Sequence, residues 1–209
     1  YLFMVGLVLL LSAGVFAGFV KERPRFNQAA YFFLGAGFML VETKGITELG
    51  LVLGNTWQVI GIVIAGVLVM AYLANRVVAA LRIRRPLGPY LLLLASLALG
   101  VAVARSGGFA PTTAGKLATV VVLTCPLFFS GIVFSTLIAG APGLSGAMGL
   151  NLLGAMCGGL LEYNSMYFGF QFLYWLAIAL YVAALLATLS RRSALTVPAA
   201  GPPASTTRA

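Results

Sequence analysis

Histidine and aspartate are missing from this chain, and the only acidic residues are Glu22, Glu42, Glu48 and Glu162. Charged residues of both signs make up 8% of the 209 positions, against about 25% in an ordinary soluble domain. The missing side chains exclude a Ser-His-Asp triad, a histidine metal site and a proton-sharing aspartate pair. No catalytic residue, metal or cofactor is therefore expected, and haem in particular would have only Met or Cys to ligate it. Cys125 and Cys157 stand singly inside apolar runs, where cysteine behaves as a small buried hydrophobe.

What fills the chain instead is hydrocarbon, at 61% hydrophobic residues. Too little polar surface remains to clothe a water-soluble globule, so the lipid bilayer must be the solvent. A transmembrane helix takes about 20 mostly apolar residues, and the sequence offers several such stretches in succession. The net charge of +9 does not point to nucleic acid. The basic residues gather at the ends of apolar runs, which is the pattern of cytoplasmic loops in membrane proteins.

The expected fold is an all-α integral membrane bundle of about seven transmembrane helices. Leu2–Val20 is the first and ends at Lys21-Glu22-Arg23-Pro24-Arg25. No charged leader or small-residue cleavage site precedes it, so it does not read as a signal peptide. A chain that starts at Tyr1 in mid-run is expected to be longer in nature. Gln28–Leu53 is the second, and Asn55-Thr56 supplies a cap for the third, Trp57–Leu81. Leu87–Ala104 is the fourth, and Lys116–Ile138, kinked at Pro126, the fifth. Leu144–Tyr163 and Phe168–Leu189 complete the set. Residues 1–192 thus form the transmembrane domain, and 193–209, rich in Ala, Pro, Ser and Thr, a disordered cytoplasmic tail.

Alternating helices put Lys21, Arg23, Arg25, Arg76, Arg82, Arg84, Arg85, Arg191, Arg192 and Arg208 on one side, and Arg105 and Lys116 on the other. The basic side is expected in the cytoplasm of a cell-membrane protein, with the amino terminus outside and the carboxyl terminus inside.

Glu42, Lys44, Glu48 and Glu162 interrupt the hydrocarbon. A charge at mid-bilayer costs about 2.5–3.5 kcal/mol on insertion scales, so these side chains must face the bundle interior, pair, or lie near an interface. Lys44 and Glu48 are spaced to pair along one helix face. Glu42 projects roughly opposite Lys44 and needs a partner elsewhere. Gly35, Phe38, Glu42, Gly45 and Leu49 share one face, and Ala147, Asn151, Gly154, Gly158 and Glu162 share another. Small residues allow close helix approach, so the two faces are expected to pack together. Counted from the helix starts on the basic side, Glu42, Glu48 and Glu162 stand about 21, 30 and 27 Å along their helices. They therefore gather in the outer half, near Arg105, Lys116 and Gln171. The cluster reads either as a cavity for an ion or polar ligand, with Asn151 orienting it, or as ion pairs that fix helix packing. Trp57, Tyr163, Tyr174 and Trp175, at helix ends, read as interfacial anchors.

The run from Phe33 to Leu49, with its Glu42-Thr43-Lys44, the following Gly54-Asn55-Thr56-Trp57, and Gly158-Gly159-Leu160-Leu161-Glu162-Tyr163 form a recognisable pattern, extended by Pro126-Leu127-Phe128-Phe129-Ser130-Gly131. It resembles the carboxyl-terminal membrane part of bacterial multi-pass proteins labelled spermidine synthase-like, over most of Tyr1 to Leu189. The resemblance implies an aminopropyltransferase-like domain, binding S-adenosylmethionine, ahead of the helices. This chain departs from that arrangement: it has no Gly-rich strand-turn-helix and no aspartate to hold a polyamine. The expected function is therefore a non-catalytic membrane module. It would anchor such an upstream soluble domain or serve as a subunit beside membrane-protein partners. The alternative is a transporter for a cationic or polar solute, such as a polyamine, that uses the buried glutamates.

Overall fold

The structure, a computed structural model, describes residues 28–53, 57–106, 112–141 and 143–196, together with Phe3, Gly6, Leu7, Leu10, Gly14 and Gly18. The described residues form helices α1 (Ala29–Leu53), α2 (Trp57–Leu81), α3 (Leu87–Arg105), α4 (Thr113–Ile138) and α5 (Leu144–Leu161). A 3-10 turn (Glu162–Asn164) and the short α6 (Ser165–Phe168) lead into α7 (Phe170–Thr196). No strand occurs among them.

Five segments are long and apolar enough to cross a membrane: Val63–Leu81, Leu87–Arg105, Leu117–Ile138, Leu144–Phe168 and Phe170–Ser190. The architecture is all-α and multi-pass, but with five such helices rather than the seven expected. Most of the expected first span, Leu2–Val20, lies outside the described residues, as does the Asn55-Thr56 cap. The second, α1, is long enough but carries Glu42, Lys44 and Glu48.

Helix ends follow local chemistry. The Thr112 hydroxyl accepts from the Gly115 backbone N–H at 3.2 Å, so α4 begins at Thr113, ahead of the expected Lys116. Pro126 lies inside α4, where it can donate no backbone hydrogen bond. The chain expected as one helix to Tyr163 tightens at Glu162 and continues to Phe168. Gly169, at φ 82°, then turns it into α7 in a conformation that disfavours any residue with a Cβ. α7 extends to Thr196, into the segment expected as tail, and residues 197–209 lie outside the described ones.

α1 is the hub, packing against α2, α4, α5 and α7. Its apolar residues point all round the helix rather than to one face, the pattern of a helix enclosed by others. Hydroxyls on the helices are satisfied locally: Thr43, Thr124, Thr136 and Thr188 each donate to the carbonyl four residues back, at 2.7–3.0 Å. This matters in an apolar surrounding, where an unpaired polar group costs several kcal/mol. Among the described residues no buried side-chain nitrogen or oxygen lacks a partner. The outer faces are apolar and uncovered, with Leu68, Tyr72, Leu91, Leu99 and Leu186 all more than half exposed.

The expected glycine contact between the second and sixth predicted helices, now α1 and α5, is present in detail. A Cβ at Gly154 would collide with the Phe32 carbonyl, one at Gly158 with the Ala36 carbonyl, and one at Gly35 with the Asn151 carbonyl. These contacts advance together along both helices, so α1 and α5 run parallel. Gly45 is not part of this contact, since no described atom lies within 4 Å of its Cβ position. Gly154→Ala is expected to lower stability in detergent by about 3 kcal/mol, the upper end for overpacking, because rigid backbone stands in the way. Gly159→Ala, where only Met39 Cγ lies at 3.8 Å, should stay within about 0.5 kcal/mol in the same thermal unfolding measurement.

Candidate functional site

Four helical turns into α1, Lys44 points into the first turn of α7. Its Nζ lies 2.5 Å from Glu48 Oε1, and the lysine is only 4% exposed. The second Glu48 oxygen accepts from the Tyr174 hydroxyl at 2.7 Å. The ammonium also stands over the rings of Tyr174 and Phe170, 5.0 and 5.5 Å from their centroids. One positive and one negative charge are thus neutralised inside the bundle, with both carboxylate oxygens and two aromatic faces engaged. Tyr174 is 5% exposed and belongs to this cluster, so it is not the interfacial anchor expected from its place near a helix end.

Tyr174 opens a series that sequence reading missed. Seven residues on, the Tyr181 hydroxyl donates to Ser130 Oγ of α4 at 3.0 Å. Gly37 leaves room for that ring, whose Cζ is 2.9 Å from where a Cβ would stand. Seven further on, Thr188 pairs with the Tyr90 hydroxyl of α3 at 3.2 Å. One stripe of α7 therefore ties to α1, α4 and α3 in turn. Its seven-residue spacing is the signal that would have revealed it. Also near the start of α7, Arg105 Nε donates to Gln171 Oε1 at 3.3 Å and its guanidinium lies 5.9 Å from the Trp175 ring.

Glu162 is half-buried at the α5 end and lines a cavity of about 490 Å³ with Met39, Thr47, Tyr163, Ser165 and Phe170. Phe170 joins this cavity to the Lys44 cluster, since its ring also stands beneath the ammonium. Glu42 does not line the cavity and takes no part in the Lys44–Glu48 pair. Asn151 stands near the middle of α5, facing a different groove. The side chain of Lys116 lies outside the described residues. The polar positions singled out in the sequence thus divide: Lys44, Glu48, Glu162 and Arg105 surround the start of α7, and Glu42 and Asn151 stand apart from them.

Cys125 and Cys157 are free thiols on different helices, both half-buried. No group of three or more His, Cys, Asp or Glu that could hold a metal ion occurs among the described residues. Fold and site together define an all-α, multi-pass membrane protein. No protein family profile, curated protein or solved structure matches the chain.

Breaking a buried pair leaves an uncompensated charge, at a cost of about 3–5 kcal/mol. Glu48→Gln is therefore expected to lower the detergent unfolding midpoint far more than Tyr174→Phe, which removes one hydrogen bond to a charged group worth about 1.5–3 kcal/mol. Equal effects of the two substitutions on thermal melts would contradict this ordering.

Proposed function

We propose that the chain is a non-catalytic membrane module, which anchors a spermidine synthase-like domain or serves as a subunit of a larger membrane assembly. The observation that carries this reading is the Lys44–Glu48–Tyr174 cluster: Lys44, the charged side chain with least exposure among the described residues, is paired with Glu48 and not held open toward a ligand. A structural use of charge fits a scaffold, as do the small-residue contacts between α1 and α5. In this reading Leu2–Val20 and α1 join the five apolar helices to give about seven spans. The basic turn Arg82–Arg85 then faces the cytoplasm of a cell-membrane protein, with the amino terminus outside.

A second reading, transport of a cationic solute, draws on the Glu162 cavity. A carboxylate, an aromatic ring and hydroxyls around about 490 Å³ would suit an organic cation in charge and size. Native mass measurement after mild detergent extraction separates the two. The scaffold reading predicts a stoichiometric complex with a second protein or an attached soluble domain. It also predicts that binding of spermine is the same in the wild type, Glu42→Gln and Glu162→Gln. A lone chain that binds spermine and loses it on Glu162→Gln would establish the second reading instead.

A further inference from the structure

At the end of the bundle opposite Glu162, a groove of about 430 Å³ opens between α1, α2, α4 and α5. Phe38, Phe134 and Met148 make its walls apolar, and Asn75, Ser135 and Asn151 place hydroxyl and amide groups among them. No charged side chain lines it. The Ser135 hydroxyl donates to the Asn75 side-chain carbonyl, which leaves the two N–H donors of that amide for another acceptor. Asn75 is exposed within the apolar span Val63–Leu81. An amide facing hydrocarbon without an acceptor costs several kcal/mol, so the geometry calls for an occupant that carries oxygen acceptors at this depth and hydrocarbon beyond it.

A second feature specifies the other end of that occupant. Arg82 follows Asn75 by seven residues, two turns on along the same face and about 10 Å nearer the membrane surface. Its backbone, at φ 49°, ends α2 and starts the turn that carries Arg84 and Arg85. All three arginines are exposed and none forms an ion pair among the described residues. An apolar groove, then hydrogen-bond donors, then a cluster of guanidinium groups is the order met along an anionic glycerophospholipid: acyl chain, ester carbonyls, phosphate. We propose that this groove binds one anionic phospholipid, its ester carbonyls accepting from Asn75 and its phosphate held by Arg82 and the turn that follows.

The test is native mass spectrometry of the delipidated full chain titrated with phosphatidylglycerol or phosphatidylcholine. Preferential retention of the anionic lipid in one-to-one stoichiometry is expected. Each basic group near the surface contributes about a fivefold preference for anionic lipid, so Arg82→Asn should lower selective retention by about that factor. Asparagine tolerates the left-handed backbone that Arg82 adopts, so this variant keeps the turn while losing the charge. Asn75→Leu should weaken retention of both lipids, because it removes the donors to the shared ester group. Glycerol phosphate, which has the charge without the chains, should fail to compete. Equal retention of the two lipids, wild-type retention by Arg82→Asn, or displacement by glycerol phosphate would each overturn the proposal. Unfolding of Asn75→Leu would leave the Arg82→Asn result to decide.

Discussion

A lysine ammonium with almost no exposure, inside a helix bundle whose outer faces are hydrocarbon, is the constraint around which the described part of the molecule is organised. It is tolerable only because Glu48 supplies the opposite charge one turn away and Tyr174 occupies the remaining carboxylate oxygen. That cluster requires α1 to be enclosed and α7 to begin beside it. Gly169 makes the second condition possible, since its left-handed backbone turns the chain between α6 and α7 just before Phe170. The enclosing of α1 depends on glycine in another way. Gly35, Gly154 and Gly158 let α5 approach to backbone contact, and Gly37 admits the ring of Tyr181.

Beside the hydroxyls that bond within their own helices, a small set of polar contacts joins one helix to another. Tyr174, Tyr181 and Thr188 each reach a different neighbour from one stripe of α7, and the Tyr31 hydroxyl reaches the Leu137 carbonyl from α1 at 3.0 Å. In an apolar medium the hydrophobic effect does little to hold helices together, so close packing and interhelical hydrogen bonds must supply register. The chain meets that requirement with small residues on one side of α1 and tyrosines on the other.

Much of this was legible in the sequence. The end of the helix at Leu81 follows from apolar length and the flanking Arg82, and the α1–α5 contact from glycines at helical spacing. The Lys44–Glu48 pair follows from a four-residue separation. Other features depend on which helices become neighbours, which no local pattern states. Tyr174 stands near a helix end, where tyrosine often anchors at the interface, and only the position of α1 reveals it as a partner of Glu48. Glu42 and Glu162 lie at comparable heights along parallel helices, yet helical rotation sends Glu42 away from the cavity that Glu162 lines. Depth was readable from rise per residue, but azimuth was not.

The claim that the buried pair organises the bundle is tested most directly by a double-mutant cycle of Lys44→Met and Glu48→Leu, with unfolding free energies measured in detergent. The account predicts that each single substitution is strongly destabilising and that the double variant recovers most of the loss, since replacing a buried pair by apolar residues is often near neutral. Additive losses, with the double variant as unstable as the two single ones combined, would contradict it.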